Sequence, residues 1–272
     1  MEIPKKIPEP TSHAKLLSWR RGVVSAGART LPEESAIALT YNRVSFAVMM
    51  ASPVDLEDFA IGFSLSEGII DAVADITELE IVAVEAGIEC RMSLTPARRD
   101  ALEKRRRKIA GPVGCGLCGI DSLEQAVRPP RPVAAGGQMA AAAIADGFTR
   151  MARAQVLNQQ TRAVHAAGFL GADGGLTVRE DVGRHNALDK LIGAVARGGG
   201  SGEGGAVLLT SRVSIELIQK TAMFGAPILA AISVPSARAT READAAGMTL
   251  IAVAREDGFE IFTHPERVDT GG

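Results

Sequence analysis

The stretch AVLLTSRVSIELIQKTAMFGAPILAAISVPSARATREADAAGMTLIAVA, residues 206–254, decides the fold. It holds three short apolar runs, 206–210, 228–233 and 249–254, each of strand length. Ser211 is placed to cap a helix after the first run, and the Ala-rich segment 237–246 reads as a second helix. Strands separated so regularly by helices predict a mixed α/β sheet covered on both faces, with 260–263 closing one edge.

Working upstream, GGGSGEGG at 198–205 reads as a flexible loop and 184–196 as a helix. A strand near 161–170, in a hairpin with 176–179, follows a long helix over about 137–158. The first half has a different pattern. Residues 1–18 read as an unstructured arm, and 35–50 as a hairpin with Asn42 in its turn. Ser52 offers a helix cap, Pro53 a first helical position and Gly68 a stop, around the buried face Leu56, Phe59, Ala60 and Phe63. A strand pair over 78–94 turns near Ala86–Gly87. The expected division is an arm at 1–18, a small α+β domain at 19–110, a linker at 111–133, a larger domain at 134–265 and a tail at 266–272.

Bulk chemistry narrows the function. A net charge of −2 gives the molecule no overall bias toward nucleic acid. Three cysteines in 272 residues make no disulfide framework, and no apolar run of about 18 residues suggests membrane insertion, so cytoplasm is the default. Two cysteines, Cys115 and Cys118, sit in GPVGCGLCG (111–119), directly after the basic run RRDALEKRRRK (98–108). Cys-x-x-Cys suits a redox pair, half a zinc site or a sulfur relay. Four glycines within nine residues weaken a helix of the thioredoxin kind and favour a mobile loop, which suits a thiol that meets two partners in turn. The basic run suits thiolate stabilisation, a hold on a phosphate-bearing cofactor, or a solvated helix face. Zinc needs further ligands, and beyond this pair the chain offers only Cys90 and four histidines; no metal is expected, and Cys90 reads as a buried small hydrophobe.

The segment EDVGRHNALDK (180–190) gathers Asp181, Arg184, His185, Asn186 and Lys190 around a helix start, with Asp181 a candidate cap. Such density of hydrogen-bonding groups suits a polar cofactor. Ser211 and Arg212 follow the best strand, where open α/β sheets place ligands, and His165 belongs to a neighbouring strand. Neither GxGxxG nor GxxxxGK[ST] occurs.

Taken in order, MMASPVDLEDFAIGFSLSEGII (49–70), CGLCG (115–119), EDVGRHNALDKLIG (180–193), SRVSIELIQK (211–220) and SVPSARATREADAAGMTLIAVAR (233–255) resemble the formate dehydrogenase accessory sulfurtransferase family, FdhD/NarQ. The resemblance implies a sulfurtransferase that accepts persulfide sulfur from a cysteine desulfurase. The sulfur then passes to the molybdenum of bis-molybdopterin guanine dinucleotide, for the formate dehydrogenase catalytic subunit. It implies a cytidine deaminase-like three-layer domain without a metal site, a smaller N-terminal α+β domain and a homodimer. It also implies Cys115 as persulfide carrier with Cys118 as partner, and a cofactor-contacting segment at Val253, Ala254, Arg255, Glu256, Asp257 and Gly258. Two departures touch the pocket. The family's TGG-x-H element is Thr161-Arg162-Ala163-Val164-His165 here, and its Ser-Ala-Pro-Thr is Ser233-Val234-Pro235-Ser236. A thiol–disulfide oxidoreductase and a non-enzymatic cofactor chaperone are the competing functions.

Overall fold

The computed structural model describes residues 6–109, 129–134 and 137–271. The chain opens with a hairpin of two ten-residue strands, β1 (Thr11–Arg20) and β2 (Val23–Pro32). The expected arm is therefore a strand from Thr11 onward, because a complementary ribbon, 23–32, lies one tight turn away.

Next come β3 (Ser35–Tyr41), β4 (Val44–Ala51), α1 (Leu56–Ser66), β5 (Ile76–Val84), β6 (Gly87–Leu94) and α2 (Pro96–Ile109). The sheet order is β4-β3-β6-β5, with β3 and β6 parallel. Asn42 turns the β3–β4 hairpin as expected, at φ 49°, and its Oδ1 accepts a hydrogen bond from the Leu94 N–H at 3.0 Å. Alternate residues Ile37, Leu39 and Tyr41 point inward into a cluster with Phe59 and Phe63 of α1. Cys90 belongs to that cluster, and burial pushes its thiol up to about 12, so it is inert packing.

The second half runs β7 (Met139–Ala140), α3 (Ala141–Ala154), α4 (Val156–Thr161), β8 (His165–Leu170), β9 (Leu176–Asp181) and α5 (Arg184–Arg197). It continues with β10 (Ala206–Leu209), α6 (Ile215–Phe224), β11 (Ile228–Ala231), α7 (Ala237–Ala245), β12 (Thr249–Arg255), β13 (Gly258–Thr263) and β14 (Val268–Asp269). Six strands form a mixed sheet, β13-β12-β11-β10-β8-β9, in which β10 with β11 and β11 with β12 pair in parallel and the other neighbours pair antiparallel. The pleat splits the core. Ala206 and Leu208 face Ile144 and Met151 of α3, while Val207 and Leu209 face the layer made by α5, α6 and α7. Three layers result, as the alternating pattern predicts.

Three local expectations are corrected. The long helix over 137–158 is two helices, because the Glu180 carboxylate accepts the N–H groups of Leu157 and Asn158 at 2.8 Å each and so starts α4 afresh. The 198–205 loop is packed rather than free: a side chain at Gly205 would overlap the Phe169 ring, and the Gly202 N–H donates to the Phe224 carbonyl. The tail pairs with β7 through β14 and buries Val268.

The two halves meet where α1 crosses α5. A Cβ on Gly62 would overlap the Asp189 carbonyl oxygen, and one on Gly193 would overlap the Asp58 carbonyl oxygen. Two glycines thus let the helix backbones touch.

Candidate functional site

The loops that leave β10 and β11 run side by side at the carboxyl ends of those strands. The Ser236 N–H donates to the Val213 carbonyl at 2.9 Å, and Val213 bridges Pro235 in parallel register. Each loop ends as a helix cap, Ser214 for α6 and Ser236 for α7, while Gly183 opens α5 and presents Arg184 beside them. Between them lies a cavity of about 220 Å³, lined by Arg184, Arg212, Val213, Ser214, Val234, Pro235 and Ser236. Three helix N-termini with their partial positive charge therefore converge with two guanidinium groups, an arrangement built for an anion. The Ser236 hydroxyl accepts the Ala239 N–H, whereas Ser214 makes no such cap and keeps its hydroxyl for other partners. The buried Nε of Arg184 has no partner among the described residues.

His185 stands behind the cavity, its Nε2 3.4 Å from the Ser214 hydroxyl. Burial, then the charges of Arg184 and Lys220, pull its pKa down to about 4 against the opposition of Glu216 and Glu67. The Ser214 hydroxyl and the charges of His185 and Arg184 keep Glu216 below the usual carboxylate range although burial opposes this. The linkage sign follows from the depressed folded value: between pH ~6.5 and ~4 the unfolded state binds a proton that the native state refuses. Stability should therefore fall as pH drops through that window, by up to about 3 kcal/mol. His185→Gln should flatten the slope in urea titrations run between those limits. An unchanged slope would contradict the assignment.

Other expected site residues lie elsewhere. Asp181 is fully buried and accepts the N–H groups of Ser52 at 2.9 Å and Gly183 at 2.7 Å, with Lys190 paired to it at 2.7 Å. Lys190 also donates to the Ser52 carbonyl, and Asn186 donates to the Met50 carbonyl and to Asp181. Asp181, Asn186 and Lys190 thus brace the first half against the second and do not line the cavity. This also corrects Ser52, which is spent on the brace: its hydroxyl accepts the Val182 N–H, and α1 begins at Leu56 after Asp55. Ser211 donates to the Arg212 carbonyl, so it neither caps α6 nor lines the cavity. A second brace joins Lys220 to Asp189, Glu67 and Ser66 at 2.9–3.0 Å. Burial works against the Lys220 ammonium, but Asp189 and Glu67 outweigh it and raise its pKa.

His165 opens β8, off the cavity wall, and burial and then Arg184 lower its pKa. Just upstream, Arg162 adopts φ 56°, a conformation natural to the glycine that the family pattern has there. Val253–Gly258 spans the end of β12, the two-residue turn Glu256–Asp257 and the start of β13, with Val253 at φ 56° and a register shift between Ala252 and Arg255. None of these six residues lines the cavity, but the Arg255 guanidinium donates to the Ile232 carbonyl, at the base of the 233–236 wall.

Cys115 and Cys118, with their glycines, lie outside the described residues. The basic run forms α2, where Arg98 pairs with Asp71 and Asp75, and Arg105 donates to the Glu67 carbonyl. Beyond the cysteines, Pro129, Pro130 and Arg131 line a second cavity with Gln219 and Met223 of α6, the helix whose N-terminus walls the anion cavity. Sequence reasoning missed Ser214 and Ser236 as cavity residues. The available signal was that SVPS stands to β11 as SRVS stands to β10.

The FdhD/NarQ family profile matches residues 32–269. The chain belongs to that family. Among FdhD/NarQ proteins, it is 51% identical over 251 residues to the sulfur carrier protein FdhD of Agrobacterium fabrum, covering 92% of this chain and 93% of that one. Identity to the FdhD of Cupriavidus necator is 46% over 263 residues, covering 96% and 91%. A crystal structure from Desulfotalea psychrophila, provisionally described as a formate dehydrogenase accessory protein, superposes with a TM-score of 0.74 at 26% identity. It covers 96% of this chain and all of that one. Among the described residues no His, Cys, Asp and Glu cluster is placed to hold a metal ion, and no helix is long and apolar enough to cross a membrane.

Proposed function

We propose that this FdhD/NarQ protein is a sulfur carrier that serves maturation of the molybdenum cofactor of formate dehydrogenase. A cysteine desulfurase supplies the sulfur, and bis-molybdopterin guanine dinucleotide, destined for the formate dehydrogenase catalytic subunit, is the cargo that receives it. The observation that carries the reading is the cavity where Arg184 and Arg212 meet three helix N-termini. A pyrophosphate-bearing nucleotide matches that charge, and guanidinium groups bind phosphate oxygens in bidentate fashion. The β12–β13 hairpin end, Val253–Gly258, flanks the same wall and extends the contact surface in this reading, with His185 behind the cavity and His165 at the start of β8 as a further contact.

The sulfur chemistry falls to the cysteines. Cys115 thiolate attacks the terminal sulfur of the donor persulfide; the donor S–S bond breaks, donor thiolate leaves, and Cys115-SSH forms without net redox change. Delivery as sulfide requires two electrons. Attack by Cys118 thiolate on the Cys115 sulfur supplies them, releasing HS⁻ and leaving a disulfide that a cellular thiol reduces. The protein binds and orients the cargo, whose metal provides the acceptor site. A cytidine deaminase-like three-layer fold for residues 134–265, joined to a small α+β domain at 19–110, a cytoplasmic location and a twofold homodimer complete the reading.

Calorimetric titration with guanosine diphosphate tests the cavity. Replacing Arg184 and Arg212 together by Ala should weaken binding by about a hundredfold or more, since each charged hydrogen-bonding group contributes roughly 1.5–3 kcal/mol. The remaining affinity should depend less on salt. Equal affinity in wild type and variant would place the nucleotide elsewhere.

A further inference from the structure

The β1–β2 hairpin shows its apolar side chains to solvent. Leu17 is 76% exposed, Trp19 71%, Val23 67% and Val24 62%, and Trp19 is the lone tryptophan of the chain. The register puts Leu17 opposite Ala26 and Trp19 opposite Val24, so these four share one face. Within β2 only Thr30 and Pro32, at its base, are even half-buried. A two-stranded ribbon this long and this exposed lacks the third layer that such ribbons need for stability. Exposed aromatic and aliphatic groups in one patch mark an interface.

The same chain offers a matching surface. In the four-stranded sheet, β4 pairs with β3 alone among the described residues, and Val48 (62%) and Met50 (51%) stand exposed at alternate positions on the face turned away from Ile37, Leu39 and Tyr41. An open apolar edge invites another strand. Charge points the same way. Residues 11–32 hold Lys15, Arg20, Arg21 and Arg29 and no acidic residue, a charge of +4 in a chain of net −2, which leaves −6 for the remainder. The arm is cationic and the body anionic. Ten residues span ~33 Å and a two-stranded face is ~10 Å wide, so two reciprocal contacts bury on the order of 1,300 Å². Specific interfaces start near that size.

We propose that the β1–β2 hairpin is a dimerisation arm, whose Leu17–Trp19–Val24 face packs on the Val48–Met50 face of the edge strand β4 in a second copy of this chain. The contact is reciprocal, as a twofold axis requires. The inference rests on the homodimer of the proposed function but is independent of the sulfur chemistry.

Sedimentation of the full-length protein at micromolar concentration tests it, with Trp19 fluorescence as a local reporter. Wild type should sediment at twice 28.4 kDa, with Trp19 emission shifting to the red on dilution. Leu17→Glu and Val48→Glu, each at an exposed position and each checked for wild-type circular dichroism, should sediment as monomers with red-shifted emission at every concentration. Wild type at monomer mass would overturn the dimer itself. Dimeric variants would leave the dimer standing and overturn the arm. A Trp19 shift only on adding anionic phospholipid vesicles would assign the hairpin to a membrane surface and also overturn the proposal. Persulfide loading of the monomeric variants by the desulfurase keeps the sulfur reading separately testable.

Discussion

Cys115→Ala protein, incubated with a cysteine desulfurase and cysteine, is expected to keep its unmodified mass, while wild type gains one sulfur atom and then loses it as Cys118 expels sulfide. The effect is all or none, because the variant lacks the atom that accepts sulfur and no neighbouring oxygen or nitrogen forms a persulfide. Cys90 does not replace it: that thiol is buried in the first-half core and pushed up to about 12, so almost none is thiolate at neutral pH. Cys118→Ala separates the two steps. It should load sulfur at the normal rate and then hold it, because the second thiolate that expels sulfide is gone. Both variants should bind guanosine diphosphate like wild type, since the cavity is lined by residues 184, 212–214 and 234–236. The Arg184→Ala, Arg212→Ala protein should show the reverse, normal loading with weak nucleotide binding. A Cys115→Ala protein that still gains sulfur, beside a Cys118→Ala protein that does not, would exchange the roles of the two cysteines. Loss of delivery in neither variant would favour a cofactor chaperone. Rapid Cys115–Cys118 disulfide cycling without sulfur gain would favour a thiol–disulfide oxidoreductase.

The parallel strands were legible because their burial on both faces leaves short unbroken apolar runs: β10 and β11 fall within 206–210 and 228–233, and β12 runs one residue past 249–254. Helix starts were legible only where the capping side chain is local. Ser236 caps α7 through the Ala239 N–H three residues on. Ser52 and Asp181 carry equally good capping chemistry, but they bond each other across 129 positions, a long-range choice that no local spacing records. The α3–α4 break has the same origin, since Glu180 on β9 captures the N–H groups that a continuous helix would have used internally. At the site, the dense polar residues of 180–190 part into two groups. On α5 one direction carries Arg184 to the cavity, while the positions that follow turn Asn186, Asp189 and Lys190 inward, and all three are buried. Helical periodicity alone did not say which direction held the ligand, because both halves of the chain press against this helix.

That pressure predicts the largest stability effect. Gly62→Ala should destabilise the native protein by about 3 kcal/mol or more, because the added methyl meets the Asp189 main chain and the Gly193 amide, not a side chain that can turn aside. Gly193→Ala meets the Asp58 main chain and should cost a similar amount. Neither glycine has a positive φ, so the requirement is close approach alone. Pushing α1 from α5 also stretches the ties around the crossing: Ser66 and Lys220 on Asp189, Ser52 on Asp181, and Arg179 and Arg197 on Asp58. Leaving those buried charges imperfectly paired adds to the loss, since an uncompensated buried charge costs several kcal/mol. With total stabilities of about 5–15 kcal/mol, such a change removes a large share. Urea unfolding followed by circular dichroism measures it, with Gly137→Ala as control, since no atom of the described residues lies within 4 Å of a methyl there and its midpoint should hold. A Gly62→Ala midpoint equal to wild type would mean that the helices separate at little cost, and that the junction between the halves is held by its ion pairs and not by backbone contact.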